Sequence, residues 1–331
     1  MSSTIFFNNK PSIYQTFTVA GPKESEGSVG KFFDIKLNDD KYGEDSFEKA
    51  EKKMLTTCIE NLIKKSKLKQ SDVDLLISGD LLNQLISSSF TAREFDISFF
   101  GIYNACATFV EGLILGAEFI DGNKFNNVIC SSVSHFSTAE RQYRYPLELG
   151  SVRPPQAQWT VTGAGASLIK KHVDGCPSIT CATIGKVVDF GVTDANNMGV
   201  AMAPSCAKVL LEHFKDTGRG VDYYDLIVTG DLGALGSRIL KELTWEKGYD
   251  IQKNHVDCGE LIYNISESDY QGGSGAGCSA IVFNSYIMDR LKSKKLNKVL
   301  LIATGALLST VSSQQGESIP GISHLIAIEN V

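Results

Sequence analysis

A pair of matching segments constrains the fold of this chain more than any other feature of its sequence. Asp74–Leu81, which reads Asp-Leu-Leu-Ile-Ser-Gly-Asp-Leu, recurs as Asp225–Leu232, which reads Asp-Leu-Ile-Val-Thr-Gly-Asp-Leu. Each copy follows a segment with apolar residues at helical spacing, at 46–67 and about 203–216. A repeat of this length predicts that the chain is built from two similar halves.

The order of predicted elements after each repeated segment is the same in both halves. A helix, a buried strand and a closing apolar strand follow in turn, at 104–120, 127–132 and 166–170, and again at 277–291, 298–303 and 324–329. Helices that alternate with apolar strands predict two similar mixed α/β sheets with helices on both faces. A short polar stretch at 173–178 predicts a division into an N-terminal half, 1–174, and a C-terminal half, 175–331.

Composition excludes several other classes of protein. The 331 residues are 43% apolar and carry a net charge of −6, which supports a large core and disfavours nucleic-acid binding. Eight cysteines lack zinc-ligand spacing, so we expect reduced cytosolic thiols and no metal site. The N-terminus lacks a signal-peptide pattern and no apolar stretch is long enough to span a bilayer, so any membrane association is expected to be peripheral.

Cys106 is the first candidate for chemistry or binding. It stands where a predicted strand, 99–103, meets the helix predicted to begin at Asn104. Unpaired N–H groups and the positive dipole end at a helix N-terminus lower the pKa of a thiol, and they also hold a carboxylate ligand. The alternative is that Cys106 serves only as a small buried apolar residue.

The glycine-rich turn at 272–278 occupies the equivalent place in the C-terminal half. It reads Gly-Gly-Ser-Gly-Ala-Gly-Cys and lacks the lysine of a P-loop. Gly273, Ser274 and Gly275 are predicted to bring backbone N–H groups close to an anion, with Cys278 at the start of the following helix. Close packing of helix against sheet is the alternative.

A polar and aromatic segment follows the strand at 127–132. It is rich in charged and aromatic side chains, in which arginines such as Arg141 and Arg144 suit bidentate binding of a carboxylate and tyrosines suit stacking on an aromatic ring. An interface or a solvated surface is the alternative for this segment.

Asp80 and Asp231 end the two repeated segments at equivalent positions. This symmetry predicts that each carboxylate caps the helix that follows it and takes no part in chemistry.

The duplicated pattern with Cys106 at a central helix resembles the thiolase and ketoacyl-synthase superfamily over nearly the whole chain. The resemblance implies a duplicated αβαβα layered fold in which Cys106 holds the position of the acyl-carrying nucleophile. Ketoacyl synthases add a His after a C-half strand and an Asn in the turn before the last helix, but 228–232 and 272–275 contain neither. Thiolases place a His in that turn and a second Cys on the next strand, where this chain has Ala303. We therefore expect no catalytic residues.

Longer segments resemble the stage V sporulation protein AD family. They lie at 79–89, 138–146, 159–166, 197–204, 272–280, 303–309 and 314–320. The resemblance implies a sporulation and germination protein of a spore-forming bacterium, bound peripherally to a face of the inner membrane around the forespore. It also implies binding of dipicolinic acid, alone or with calcium, and its transport through a channel built by membrane-embedded sister proteins.

The resemblance makes dipicolinate, a small aromatic dianion, the expected ligand, with no other cofactor. The residues expected to bind it are Cys106, His135, Arg141, Arg144, Trp159, Gly273, Ser274, Gly275 and Cys278. Superfamily members commonly pair through the edge of the N-half sheet, so a homodimer is expected. Two alternatives remain open: an acyl-transferring enzyme that uses Cys106, with His135 as a substitute base, and a purely structural subunit that docks on the channel.

Overall fold

The computed structural model describes residues 2–143, 153–263 and 271–331. The strands are β1 Thr4–Phe6, β2 Ser12–Ala20, β3 Ile35–Lys36, β4 Leu75–Gly79, β5 Phe99–Gly101, β6 Asn127–Ser134, β7 Trp159–Thr160, β8 Gly163–Lys170, β9 Ser178–Thr183, β10 Leu226–Thr229, β11 His255–Asp257, β12 Gly273–Ser274, β13 Lys298–Ala306 and β14 Gly321–Glu329. The α-helices are α1 Pro22–Glu26, α2 Phe47–Lys65, α3 Ile86–Ala92, α4 Thr108–Asp121, α5 Phe136–Tyr143, α6 Met198–Thr217, α7 Gly233–Trp245, α8 Cys258–Ile262, α9 Ala276–Val282, α10 Met288–Lys292 and α11 Thr310–Gln314. A π-helical segment, Phe283–Ile287, joins α9 to α10.

The strand order shows the predicted duplication. The N-terminal half runs β2-β8-β6-β4-β5 and the C-terminal half β9-β14-β13-β10-β11. In both, the first three strands pair antiparallel and the last three pair parallel. The prediction of two sheets was wrong. Strands β2 and β9 meet at Ser12 and Ser178, whose hydroxyls lie 3.0 Å apart, so the strands of both halves form one 12-stranded sheet.

Apolar cores lie between the five layers of structure. The central core holds α4 and α9 between the strands of both halves, and includes Phe109 and Phe283, whose ring centroids lie 6.1 Å apart. A second core places α2 on the outer face of the N-half strands, and a third places α6 outside the C-half strands. This is the predicted duplicated αβαβα order, and the fold class is confirmed. The predicted division at 174/175 into two domains remains a prediction.

The outer helices differ in how closely their bounds match the prediction. The Ser46 side chain caps α2 by accepting the N–H of Lys49 at 3.3 Å, as expected for a serine before an amphipathic segment. Helix α6 begins at Met198, five residues before the predicted start, and contains Pro204. The additional first turn of α6 passes close to the backbone of Leu232. A glycine is needed at position 199, because a Cβ there would lie 2.3 Å from the carbonyl oxygen of Leu232.

Within the described residues no helix combines the length and the apolar character needed to cross a membrane. All eight cysteines are free of disulfides, and seven of them are buried.

Candidate ligand-binding cleft

A cleft opens where the two halves meet beside Cys106. Its empty space is about 490 Å³, open solvent at the mouth included, and its cavity volume is about 40 Å³. The lining residues come from both halves and are mainly apolar: Leu81, Tyr103, Ala105, Cys106, Ala139, Glu140, Tyr143, Thr160, Ala195, Met198, Ser274, Gly275, Ala306 and Leu308. A ring-sized ligand therefore has to sit in the wide mouth, with only a small pocket beneath it.

Cys106 lies in a tight turn before α4 and not inside the helix. Ala105 has a φ of +49°, which bends the chain, and the first helical residue is Thr108. The Thr108 hydroxyl donates to the Ala105 carbonyl at 2.7 Å and accepts the N–H of Asn104 at 2.9 Å. The predicted helix start at Asn104 was therefore wrong by four residues, because this turn is built from left-handed backbone that sequence periodicity does not show.

Asp231 connects this turn to the glycine-rich turn. Its buried carboxylate accepts the N–H of Gly275 at 3.0 Å and the hydroxyl of Thr304 at 2.6 Å, and the Cys106 thiol donates to it as well. Burial raises the pKa of this carboxyl to about 6, against the lowering effect of the three donors. Asp231 does not cap the helix that follows it, because Asp257 accepts the N–H groups of Leu232 and Gly233, at 2.8 and 3.1 Å.

Asp80, the symmetric counterpart, orders the other wall of the cleft. It accepts the N–H groups of Leu82 at 2.9 Å and Ser88 at 2.8 Å, so it supports the loop into α3. The Tyr143 hydroxyl donates to the Leu81 carbonyl and lies 3.0 Å from the Tyr103 hydroxyl. These contacts make a wall of two tyrosines beside Cys106.

Of the eight predicted ligand residues that the structure describes, three line the cleft: Cys106, Ser274 and Gly275. Gly273 lies one residue behind and pairs with Trp159 between β12 and β7. Cys278 is fully buried on α9, where its thiol donates to the Gly230 carbonyl at 3.4 Å.

The glycine-rich turn donates less to the cleft than expected. The N–H of Gly275 is bonded to Asp231, and the N–H of Gly277 donates to the Ser134 hydroxyl at 3.0 Å. The expectation that the glycine-rich turn offers free N–H groups to an anion is therefore not met at these two positions, because side chains of neighbouring strands already use them.

The predicted cationic and aromatic residues that the structure describes, His135, Arg141 and Trp159, are not on the cleft lining. His135 is buried, its Nε2 bonded to the Asp40 carbonyl at 2.8 Å and its Nδ1 accepting the N–H of Ser137 at 3.1 Å. Burial lowers the pKa of His135, so the ring is neutral and carries no charge for a ligand. The guanidinium of Arg141 pairs with Glu48 at 3.2 Å at the surface.

Trp159 stacks on Phe136 with ring centroids 3.9 Å apart, and the Lys23 ammonium lies 3.9 Å above its indole ring. Arg144 lies outside the described residues. Whether these residues contribute to a ligand site remains a prediction.

The sequence did not identify an ion pair beside the cleft as part of the site. Glu140 lines the cleft and pairs with Arg153 at 2.8 Å, both side chains being largely buried. The Arg153 guanidinium also lies 5.2 Å from the centre of the Trp159 ring. The available sequence signal was the helical spacing that places Ala139, Glu140 and Tyr143 on one face of α5.

Comparison with solved structures gives the class of fold. The 3-oxoacyl-[acyl-carrier-protein] synthase III of Aquifex aeolicus VF5 superposes with a TM-score of 0.60 at 14% identity, over 96% of this chain and 99% of that one. Cerulenin-bound OleA of Xanthomonas campestris superposes with a TM-score of 0.65 at 11% identity, over 98% of this chain and 100% of that one. The fold is thiolase-like, as predicted.

Sequence comparison gives the family. The family model of stage V sporulation protein AD matches residues 1–329. Stage V sporulation protein AD of Bacillus subtilis (strain 168) is 43% identical over 312 residues, which are 94% of this chain and 92% of that protein. The chain therefore belongs to the stage V sporulation protein AD family, and the predicted resemblance is confirmed.

Proposed function

We propose that this chain binds dipicolinate, or its calcium complex, in the cleft beside Cys106 and performs no catalysis on it. The observation that carries the proposal is the cleft itself, which keeps the cysteine of a condensing enzyme while a carboxylate replaces the usual basic partner. Membership of a sporulation family supports a ligand of sporulation. The tyrosine pair and the apolar lining suit an aromatic ring.

The charges around the cleft favour the calcium complex. Among the described lining residues Glu140 is the one charged side chain, and Arg153 beside it neutralises that charge. A free dianion would find no surplus positive charge among these described lining residues, whereas a dicarboxylate already paired with Ca²⁺ is neutral overall. The Ser274 side chain and the Tyr103 hydroxyl remain as polar partners on the lining.

The composition of the described cleft lining supports binding over catalysis. Asp231 ends the segment after β10, where a ketoacyl synthase has a His, and no histidine lines the cleft within the described ranges. The nearest candidate in sequence, His135, is occupied at both ring nitrogens. A cysteine acts as a nucleophile at neutral pH when an adjacent base or positive group favours its thiolate, and within the described lining no histidine takes that place.

Calorimetric titration with dipicolinate, with and without Ca²⁺, tests the proposal. We expect saturable binding that is tighter with Ca²⁺ and at least several-fold weaker in Cys106→Ala and Arg144→Ala. Arg93→Ala is the matched control, because this arginine is exposed beside Glu94, is not on the cleft lining, and its loss should leave the affinity unchanged. No binding at millimolar ligand, or wild-type affinity in both Cys106→Ala and Arg144→Ala, would reject the assignment of this cleft.

Acyl transfer is the second candidate, favoured by the fold of the solved structures and by the place of Cys106 on the cleft lining. An acyl thioester incubated with the protein would then leave an acyl group on Cys106 with release of the free thiol. Mass spectrometry of the Cys106 peptide measures this directly. Labelling absent from Cys106→Ser but present in the wild type would favour the enzyme over the binding protein.

The proposal includes the partners and the location that the family implies. We infer that the chain docks peripherally, as a homodimer, on membrane-embedded sister subunits of a channel at the inner membrane around the forespore. In this arrangement the bound ligand passes from the cleft to the channel. If the chain serves only as a structural docking subunit, the sister subunits will bind it equally well after Cys106→Ala and dipicolinate will have no effect.

A further inference from the structure

Glu51 is a fully buried carboxyl on α2 that contacts the first turn of α5. Its Oε2 lies 2.6 Å from the Thr138 hydroxyl, and its Oε1 is buried without a hydrogen-bond partner. We propose that Glu51 is a proton-dependent latch: as a neutral carboxylic acid it holds α5 against α2, and its ionisation releases α5. Because α5 forms part of the cleft wall, the latch controls the shape of the cleft.

The Thr138 hydroxyl satisfies both of its contacts at once when Glu51 carries a proton. Its oxygen lies 2.6 Å from Glu51 Oε2 and 3.0 Å from the His135 carbonyl oxygen, but a hydroxyl has only one proton to donate. When Glu51 is neutral, its O–H donates to Thr138, and Thr138 donates to the His135 carbonyl. When Glu51 is ionised, Thr138 must donate to the carboxylate instead, and its bond to the His135 carbonyl is lost.

The groups that act on Glu51 oppose its ionisation. Burial raises the pKa of its carboxyl well above the usual range, and the negative charges of Asp80 and Glu48 raise it further. On α5, His135 is a neutral ring, because burial lowers its pKa. A carboxylate at this position would be buried with the single hydrogen bond that Thr138 can give, which is a costly arrangement.

The cations on the elements that pack around Glu51 are engaged with other groups. Their contacts are Lys52 with Glu94 at 2.7 Å, Lys53 with Glu44 at 3.0 Å, Arg141 with Glu48 at 3.2 Å, Arg153 with Glu140 at 2.8 Å, and Lys170 of β8 with the Tyr14 ring of β2 at 4.6 Å. Helix α3 carries no titratable side chain, and the Cys130 thiol of β6 donates to the Gly112 carbonyl at 3.1 Å. Among the described residues, no ion pair includes Glu51.

Helix α5 connects the latch to the cleft. Ala139, Glu140 and Tyr143 on this helix line the cleft, directly after Thr138. A shift of α5 away from α2 therefore moves three lining residues together. The sign of the pH dependence follows from the raised pKa: the latch is closed at low pH and opens as the pH rises through the folded-state pKa of Glu51.

Hydrogen–deuterium exchange of the backbone amides tests the latch on the whole protein without any ligand, so the inference goes beyond the proposed function. The exchange rate of the α5 peptide in the wild type is divided by that in Glu51→Gln at each pH. Chemical exchange and all other titrating groups, Glu24 included, affect both proteins equally. We expect a ratio within about twofold of one at pH 6 and of at least about tenfold at pH 9, because each pH unit above a pKa lowers the protonated fraction tenfold.

Two further variants separate the latch from a general effect of substitution. Glu60→Gln is the matched control, because Glu60 is exposed on the same helix and its α5 exchange should follow the wild type at every pH. Thr138→Val removes the hydroxyl between the carboxyl and the His135 carbonyl, so α5 should already exchange faster at pH 6. A peptide from α4, in the central layer, reports global opening, and all α5 rates are compared with it.

Three results would overturn the proposal. They are a ratio near one at both pH values, wild-type α5 exchange in Thr138→Val, and a change of equal size in α4 and α5, which means that the whole protein opens. Titration with dipicolinate separates this inference from the proposed function. No binding by the wild type or by Glu51→Gln rejects the function alone, and binding with a constant exchange ratio rejects the latch alone.

Discussion

Glu24 shows at the scale of one residue how burial controls a charge. Its Oε1 accepts from the N–H of Thr162 at 3.0 Å and from the Tyr263 hydroxyl, while its Oε2 is buried without a hydrogen-bond partner. Burial therefore raises the pKa of this carboxyl from 4.5 to about 7. A carboxyl whose pKa is higher in the folded state than in the unfolded state stabilises the folded state at low pH. This stabilisation is lost as the pH rises from the unfolded-state pKa through the folded-state pKa.

We expect Glu24→Gln to stabilise the protein at pH 8 and to have little effect at pH 5. The shift from 4.5 to about 7 corresponds to about 3 kcal/mol of stability lost by the wild type across this pH range. Urea unfolding at both pH values measures the difference. Glu26→Gln on the same helix is the control, since Glu26 is exposed. Equal stability of Glu24→Gln and the wild type at pH 8 would show that Glu24 titrates normally.

The turn before α4 shows at the scale of an element why one strand needs a glycine. Strand β13 passes directly beneath the turn, and a Cβ at Gly305 would lie 2.8 Å from the Asn104 carbonyl oxygen and 3.3 Å from the Ala107 nitrogen. The position of Cys106 therefore depends on a close approach between backbones of the two halves. Neither backbone can yield easily, because both belong to hydrogen-bonded elements.

Gly305→Ala should destabilise the fold by about 1–3 kcal/mol, the usual range for overpacking, and displace the Cys106 turn. Urea unfolding gives the first quantity, and weakened dipicolinate binding reports the second. Gly220→Ala is the matched control, because no atom lies within 4 Å of a Cβ there and its φ is −94°. A Gly305→Ala protein with wild-type stability would show that β13 and the turn do not touch.

The whole molecule depends on a central layer that both halves share. Phe109 on α4 and Phe283 after α9 pack against each other and against strands of both halves in one core. Each half therefore lacks a complete core of its own on that side. The strand pair at Ser12 and Ser178 adds a direct link between the sheets. We expect the two halves to unfold together.

Phe283→Ala should cost about 3–5 kcal/mol, as expected for a large cavity in a packed core. The loss of stability should be the same in both halves. The unfolding of each half is followed by its own tryptophan, Trp159 in the N-terminal half and Trp245 in the C-terminal half. Single-tryptophan variants followed by fluorescence in urea make this measurement. Phe190→Ala is the control, since Phe190 is 70% exposed and its loss should change stability by less than about 0.5 kcal/mol. Two separate transitions would contradict a shared central layer.

The duplication, the layered fold and the family all followed from the sequence alone. The segments Asp74–Leu81 and Asp225–Leu232 have chemically similar residues at equivalent positions. Apolar periodicity is a local property of the sequence, so it can be recognised without knowing which residues are in contact in the fold. Strand interiors were predicted well because burial on both faces demands uninterrupted apolar residues. Cys106, Ser274 and Gly275 were found for a related reason, since turns between a strand and a helix are marked by small residues.

Tertiary structure alone decided which side chains meet at the cleft. Asp231 and Cys106 are far apart in sequence, and only the packing of the two halves brings the carboxylate to the thiol. The same holds for Glu140 with Arg153, and for His135, whose ring turns to the Asp40 carbonyl and not to the cleft. Periodicity determines which residues are buried, whereas the partner of a buried polar group depends on the three-dimensional path of distant backbone.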